Sequence, residues 1–72
     1  MYIEITDVLN VTRILNISNM ADIELNGSTI EFNYAGSYTS SITFTNATLA
    51  LEIYTKISRI LSVVNINKLP LQ

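Results

Sequence analysis

In separate runs within the first 45 residues apolar side chains recur every second position, and from Asn46 onward they recur every third or fourth. The first period is that of half-buried strands and the second that of one helical stripe. A chain that changes period once, near Thr45-Asn46, is restricted to a sheet built first and a helix laid on it afterwards. The expected fold class is therefore α+β, with about five short antiparallel strands in hairpins or a meander. One C-terminal amphipathic helix packs on the sheet.

The individual elements follow from the same pattern. Ile3 and Ile5 alternate with Tyr2, Glu4 and Thr6, giving a first strand. Asp7-Val8-Leu9-Asn10 supplies turn chemistry, since Asp and Asn side chains bond nearby backbone. A second strand runs from Thr12 to Ile17. Alternation returns at Asp22-Ile23-Glu24-Leu25 and again at Thr29-Ile30-Glu31-Phe32-Asn33-Tyr34. Between these runs lies Asn26-Gly27, the strongest short-range hairpin signal. A two-residue loop sets Ile23 opposite Ile30 and a four-residue loop sets it opposite Phe32; both keep the apolar faces together. Residues Ala35 to Ser40 read as a polar connection, and Ser41 to Thr45 as a last strand with Ile42 and Phe44 inward.

Asn46 or Thr45 can cap the helix. Its stripe is Leu49, Ile53, Ile57, Ile60, Leu61 and Val64, ending near Ser62 or Val64, and Glu52 and Lys56 stand at i, i+4 on the outer face. The expected core joins this stripe to Ile3, Ile5, Ile23, Ile30, Phe32, Ile42 and Phe44. Residues 1–64 then form the single domain and residues 65–72 an extended arm, whose Pro70 suits an edge position only.

Composition narrows the chemistry. The 72 residues include no cysteine, histidine or tryptophan, 49% are hydrophobic, 14% are charged, and the formal net charge is −2. Zinc, haem and disulfide sites lose their usual donors, so no metal and no cofactor is expected. General bases and nucleophiles reduce to carboxylates, lysines, tyrosines and unassisted hydroxyls, and no enzymatic activity is expected. Glu4, Asp22, Glu24 and Glu31 fall on outward sheet positions, opposed only by Arg13, Lys56, Arg59 and Lys68. A face of that sign repels phosphate, so nucleic acid is not an expected partner. No apolar run approaches a membrane span, and Met1-Tyr2-Ile3-Glu4 has no basic or apolar leader character. A cytoplasmic location without membrane contact is the expectation. The sequons at Asn10, Asn16, Asn26 and Asn46 follow from the abundance of Asn, Ser and Thr.

The order of elements resembles that of the small flagellar FlbD/SwrD family and similar short bacterial or phage proteins. The likeness rests on Ile3-Glu4-Ile5-Thr6, Leu15-Asn16, Ile23-Glu24, Thr29-Ile30-Glu31-Phe32 and a final strand leading into a helix, covering Met1 to Leu61. The family's Thr-Asn-Gly-Lys segment and the Lys-Glu-Ser opening of its helix are replaced by Tyr34-Ala35-Gly36 and Thr45-Asn46-Ala47. What the resemblance implies is the strand order and a lack of catalysis, not a flagellar role.

Below about 70–80 residues one apolar core rarely supplies more than about 3–5 kcal/mol. Self-association is the expected remedy, with Ile66, Leu69 and Leu71 of the arm on a neighbour's sheet edge. The leading expectation is thus a non-catalytic homo-oligomeric interaction protein, such as an accessory or inhibitor protein of a phage or mobile element that binds another protein. The alternative is a binder of a small nucleotide-like ligand between subunits, through Arg13, Tyr34, Ser37, Tyr38, Thr39 and Ser40. Residues 34–40 offer two aromatic faces and hydroxyls near in sequence to the free N–H groups of the helix start, and Arg13 adds one cation.

Overall fold

The computed structural model describes residues 1–63. β1 (Tyr2–Thr6) and β2 (Thr12–Asn16) form one antiparallel hairpin. β3 (Met20–Asn26), β4 (Thr29–Tyr34) and β5 (Tyr38–Thr43) form a second antiparallel sheet in that order. α1 (Ala47–Ile60) follows and packs against the strands. The α+β class read from the period change is the observed one, with its five strands divided between two sheets.

Asp7 organises the first turn. Its carboxylate accepts the N–H of Leu9 at 2.9 Å and of Val11 at 3.0 Å, and Asn10 takes the left-handed φ of 63° that asparagine tolerates. The Val8 N–H then donates to the Thr43 carbonyl at 2.9 Å, tying this turn to the end of β5.

At the second hairpin Ile23 lies opposite Phe32 and Asn26 opposite Thr29, so the tip is Gly27-Ser28. Of the two registers open to sequence reading the Phe32 pairing is the observed one, but with a two-residue loop where four residues were expected, because the turn sits at Gly27-Ser28, one residue beyond Asn26-Gly27. Asn26 remains in its strand, and of the two tip residues only Gly27 takes a positive φ, at 62°. That is the demand of a two-residue turn with glycine at its first central position.

The third hairpin departs from the expectation. β5 begins at Tyr38, not Ser41, and the connection shrinks to Ala35-Gly36-Ser37, with Gly36 at φ 84° and Ser37 at φ 70°. Tyr38 and Thr39 favour strands, and Tyr38, Ser40 and Ile42 alternate on the face that carries Tyr34, Phe32 and Ile30. Ser40 is buried opposite Phe32, where a small side chain leaves room for the ring.

The helix starts as expected, with the Asn46 side chain accepting the Leu49 N–H at 2.8 Å. It ends earlier than its apolar run suggests. Leu61 caps it and Ser62 turns left-handed at φ 57°. The Ser62 N–H donates to Arg59 and the Val63 N–H to Ser58, the paired bonds of a Schellman reversal, with serine where glycine is commoner.

The helix is also rotated from the expected stripe. Ala50, Ile53, Tyr54 and Ile57 face the strands, while Leu49, Ile60 and Leu61 are 38%, 49% and 36% exposed. The spacing i, i+3, i+4, i+7 is as good a stripe as the expected one. Ala50, buried completely, lets the helix backbone approach Phe44 and the sheet, which a larger residue would prevent. Ile17 is buried as well, and Ile3, Ile23 and Ile53 are only partly so. Val64 and the arm residues Ile66, Leu69 and Leu71 lie outside the described residues.

Candidate functional site

The expected ligand residues do not share one surface. Tyr34 and Tyr38 are brought together as a cross-strand pair, ring centroids 5.5 Å apart and planes tilted by 47°. Ser40 follows on the same face but is buried. Thr39 points the other way and donates to the Asn33 side chain at 2.7 Å. Ser37 is in the turn. Arg13 belongs to the other sheet, beside the Asp7 carboxylate at 4.0 Å. The helix start is also remote from the tyrosines. Phe44, just before it, donates its N–H to Ser28 at the Gly27 end of the sheet. The two tyrosines sit at the other end of β5, roughly 20 Å away at about 3.4 Å per residue. Burial, and secondarily Tyr38, pushes the Tyr34 phenol above its ordinary pKa, so it stays neutral.

The acids separate similarly. Glu4 lies on the β1–β2 hairpin, and Asp22, Glu24 and Glu31 share the outer face of the larger sheet. Asp22 accepts from the Asn33 amide, which links to Thr39 across three strands. Glu24 faces Glu31 directly. The Asp22 charge foremost, then Glu31 through a hydrogen bond and its own charge, raises the Glu24 carboxyl above its ordinary value of 4.5. Among the described residues no group of three or more acids could hold a metal ion.

A raised carboxyl pKa means the folded state binds a proton more readily than the unfolded chain. This contribution to stability is complete below the ordinary glutamate value and is lost as pH rises through the raised one. We expect Glu24→Gln to raise the thermal midpoint at pH 7, and to flatten the change in midpoint between pH 7 and the ordinary value of 4.5 relative to the unsubstituted chain. Identical pH profiles for the two proteins would exclude the crowding as the cause.

What the structure does assemble is one apolar groove and one of mixed polarity. α1 packs against β3 and β4 and leaves a groove on either flank. The first, of about 350 Å³, runs between β1 and α1 and is lined by Ile3, Ile5, Phe44, Leu49, Ile53 and Ile60, with Glu4 and Lys56 at its rim. The second, of about 410 Å³, runs along β3 and is lined by Met20, Ala21, Ile23, Tyr54, Leu61 and Val63, with Asp22 in its wall. Leu49 and Ile60, expected in the core, line the first groove instead. Leu9 adds to the exposed apolar surface at the first hairpin tip, where it is 78% exposed on a turn fixed by Asp7. Sequence reading missed both grooves because each depends on the rotation of the helix.

The chain is thus a small α+β protein, two antiparallel sheets followed by one helix packed on the strands, with an apolar groove toward β1 and a mixed one along β3. No family model, curated protein or solved structure matches it, and the resemblance to FlbD/SwrD proteins rests on its residues alone. Among the described residues no helix is long and apolar enough to cross a membrane.

Proposed function

We propose that this is a small non-catalytic interaction protein that works as a homo-oligomer and acts by occupying a surface of another protein. An accessory or inhibitor role in a phage or mobile element is the form of that reading we favour. The observation that carries it is the groove between β1 and α1, where Leu49 and Ile60 are large, apolar and exposed. A second copy is the occupant. The rim holds one anion, Glu4, and one cation, Lys56. A two-fold axis through the groove sets Glu4 of each copy toward Lys56 of the other, as a self-complementary patch requires.

The test is sedimentation at concentrations up to about 1 mM, where an association worth about 4 kcal/mol becomes visible. The full chain should sediment as a dimer or larger, and Ile60→Glu as a folded monomer. A full chain that stays monomeric throughout that range overturns the reading. Thermal shift with a nucleotide panel supplies the other arm, since a ligand that binds only the native state raises its stability. A shift abolished by Tyr34→Ala would favour the small-molecule function instead.

A further inference from the structure

The first hairpin has an open side at β2. Asp7 donates its N–H to the Val11 carbonyl at 3.0 Å, and Ile17 donates to Met1 at 2.9 Å, one bond at each end of the β1–β2 ladder. Both bonds join odd-numbered residues, and bonded pairs in an antiparallel ladder recur every second residue. Arg13 and Leu15 are therefore the residues of β2 whose main chain bonds β1. The N–H and C=O groups of Thr12, Ile14 and Asn16 point away, and β2 pairs with no other strand among the described residues. Such an edge is a template for a further strand.

The other edges are less open. At β5 the Thr43 carbonyl takes the Val8 N–H at 2.9 Å, β3 breaks its register between Met20 and Asp22, and β1 has α1 alongside across the first groove. β2 carries no lysine, proline or bulge, the usual means of blocking an edge. Ile14, at its middle, is exposed.

The side chains of β2 define the strand that fits. Ile14 shares the outer face with Thr12 and Asn16, whereas Arg13 shares the other with Leu15, which packs against the core. Arg13 is the only charge of the strand. Its guanidinium lies 4.0 Å from the Asp7 carboxylate, and 43% of its side chain is exposed. An arriving strand sets one residue opposite Ile14 and the next opposite Arg13, on opposite faces. Covering Arg13 with an apolar side chain costs desolvation, and a cross-strand acid offsets that cost. A second copy of β2 supplies none, because the strand contains no acid.

We propose that β2 adds an extended segment of the target protein to the hairpin, antiparallel, with an acidic residue opposite Arg13 and an apolar residue beside it opposite Ile14. Main-chain bonds to Thr12, Ile14 and Asn16 supply affinity, and Arg13 supplies the choice of partner. The proposal rests on the reading of the chain as an interaction protein and names its partner surface. It does not use the β1 groove, which lies at the other edge of the hairpin.

The probe is the capped peptide Thr-Val-Val-Glu-Thr, which runs against β2 from Asn16 back to Thr12 and sets its glutamate opposite Arg13. Thr-Val-Val-Lys-Thr is the control, and both are titrated to about 5 mM into the full chain, where weak strand addition becomes visible. The glutamate peptide should slow amide exchange at Thr12, Ile14 and Asn16 several-fold and leave Glu4 and Thr6, on the opposite edge, unchanged. The lysine peptide should bind several-fold more weakly, with the gap closing as salt is raised. In Arg13→Glu, whose fold is checked by its cooperative melt, the order of the two peptides should reverse. If that variant does not fold, the two peptides on the unsubstituted chain decide. No binding by either peptide, equal affinities, or slowing at Glu4 and Thr6 instead overturns the proposal. Slow exchange at Thr12, Ile14 and Asn16 that grows with protein concentration in the absence of peptide also overturns it, and assigns the edge to a second copy. Sedimentation of Ile60→Glu, which tests association through the β1 groove, is independent of these results.

Discussion

Phe32→Ala is expected to cost about 3–5 kcal/mol, the range for truncating a fully buried phenylalanine. The ring is 0% exposed on the central strand of the larger sheet, between Ile23 on one side and Ser40 on the other. One core in a chain this short rarely supplies more than about 3–5 kcal/mol, so such a loss takes a large share of the stability. Urea denaturation measures it, with Ile14→Ala as the comparison. Ile14 is 69% exposed on β2, and its truncation should change stability by about 0.5 kcal/mol or less. A loss of less than about 1 kcal/mol from Phe32→Ala would place the core elsewhere.

Ala50→Leu should destabilise by about 1–3 kcal/mol through overpacking. Ala50 is 0% exposed and packs in the cluster of Ile5, Ile30, Phe32, Ile42, Phe44 and Ile57. Three added carbons at that point must push α1 off the strands. For a domain of this size each kcal/mol lowers the thermal midpoint by about 4–8 °C. The neighbouring Leu51 is 52% exposed, so Leu51→Ala should be nearly silent apart from a small gain in helix propensity. If the helix instead faced the strands through Leu49, Ala50→Leu would be harmless and Leu49→Ala would carry the loss. The pair of variants therefore measures helix rotation by melting alone.

Much of the architecture was legible from the residues. Strict alternation marked β1, β3 and β4, Asn26-Gly27 marked the tight hairpin, and Asn46 marked the helix start. What escaped has identifiable causes. Tyr38-Thr39-Ser40 looked like a loop because hydroxyl-rich segments and turns share a composition, whereas the cross-strand Tyr34–Tyr38 pair exists only once β5 is in register. Helix rotation escaped because alanine ranks low in hydrophobicity, yet close approach of the helix backbone needs a small residue at Ala50. The helix end escaped because the reversal uses Ser62 in a conformation usually given to glycine. The candidate sites were less legible still. A groove is what remains after two sheets and a helix have packed, and no single residue announces it.

Among the described residues each strand pairs only with strands adjacent to it in the chain. During folding, every ladder can therefore form by closing a short loop, which costs little chain entropy. No distant segments have to find each other before the sheets gain stability, so the search is short and its rate is set by turn formation. The Asp7, Gly27 and Gly36 turns are then the places where sequence controls speed, and the late event is the landing of α1. Fast closure of the ladders shortens each passage through states with unpaired apolar faces, which limits exposure to aggregation on the way to the native state.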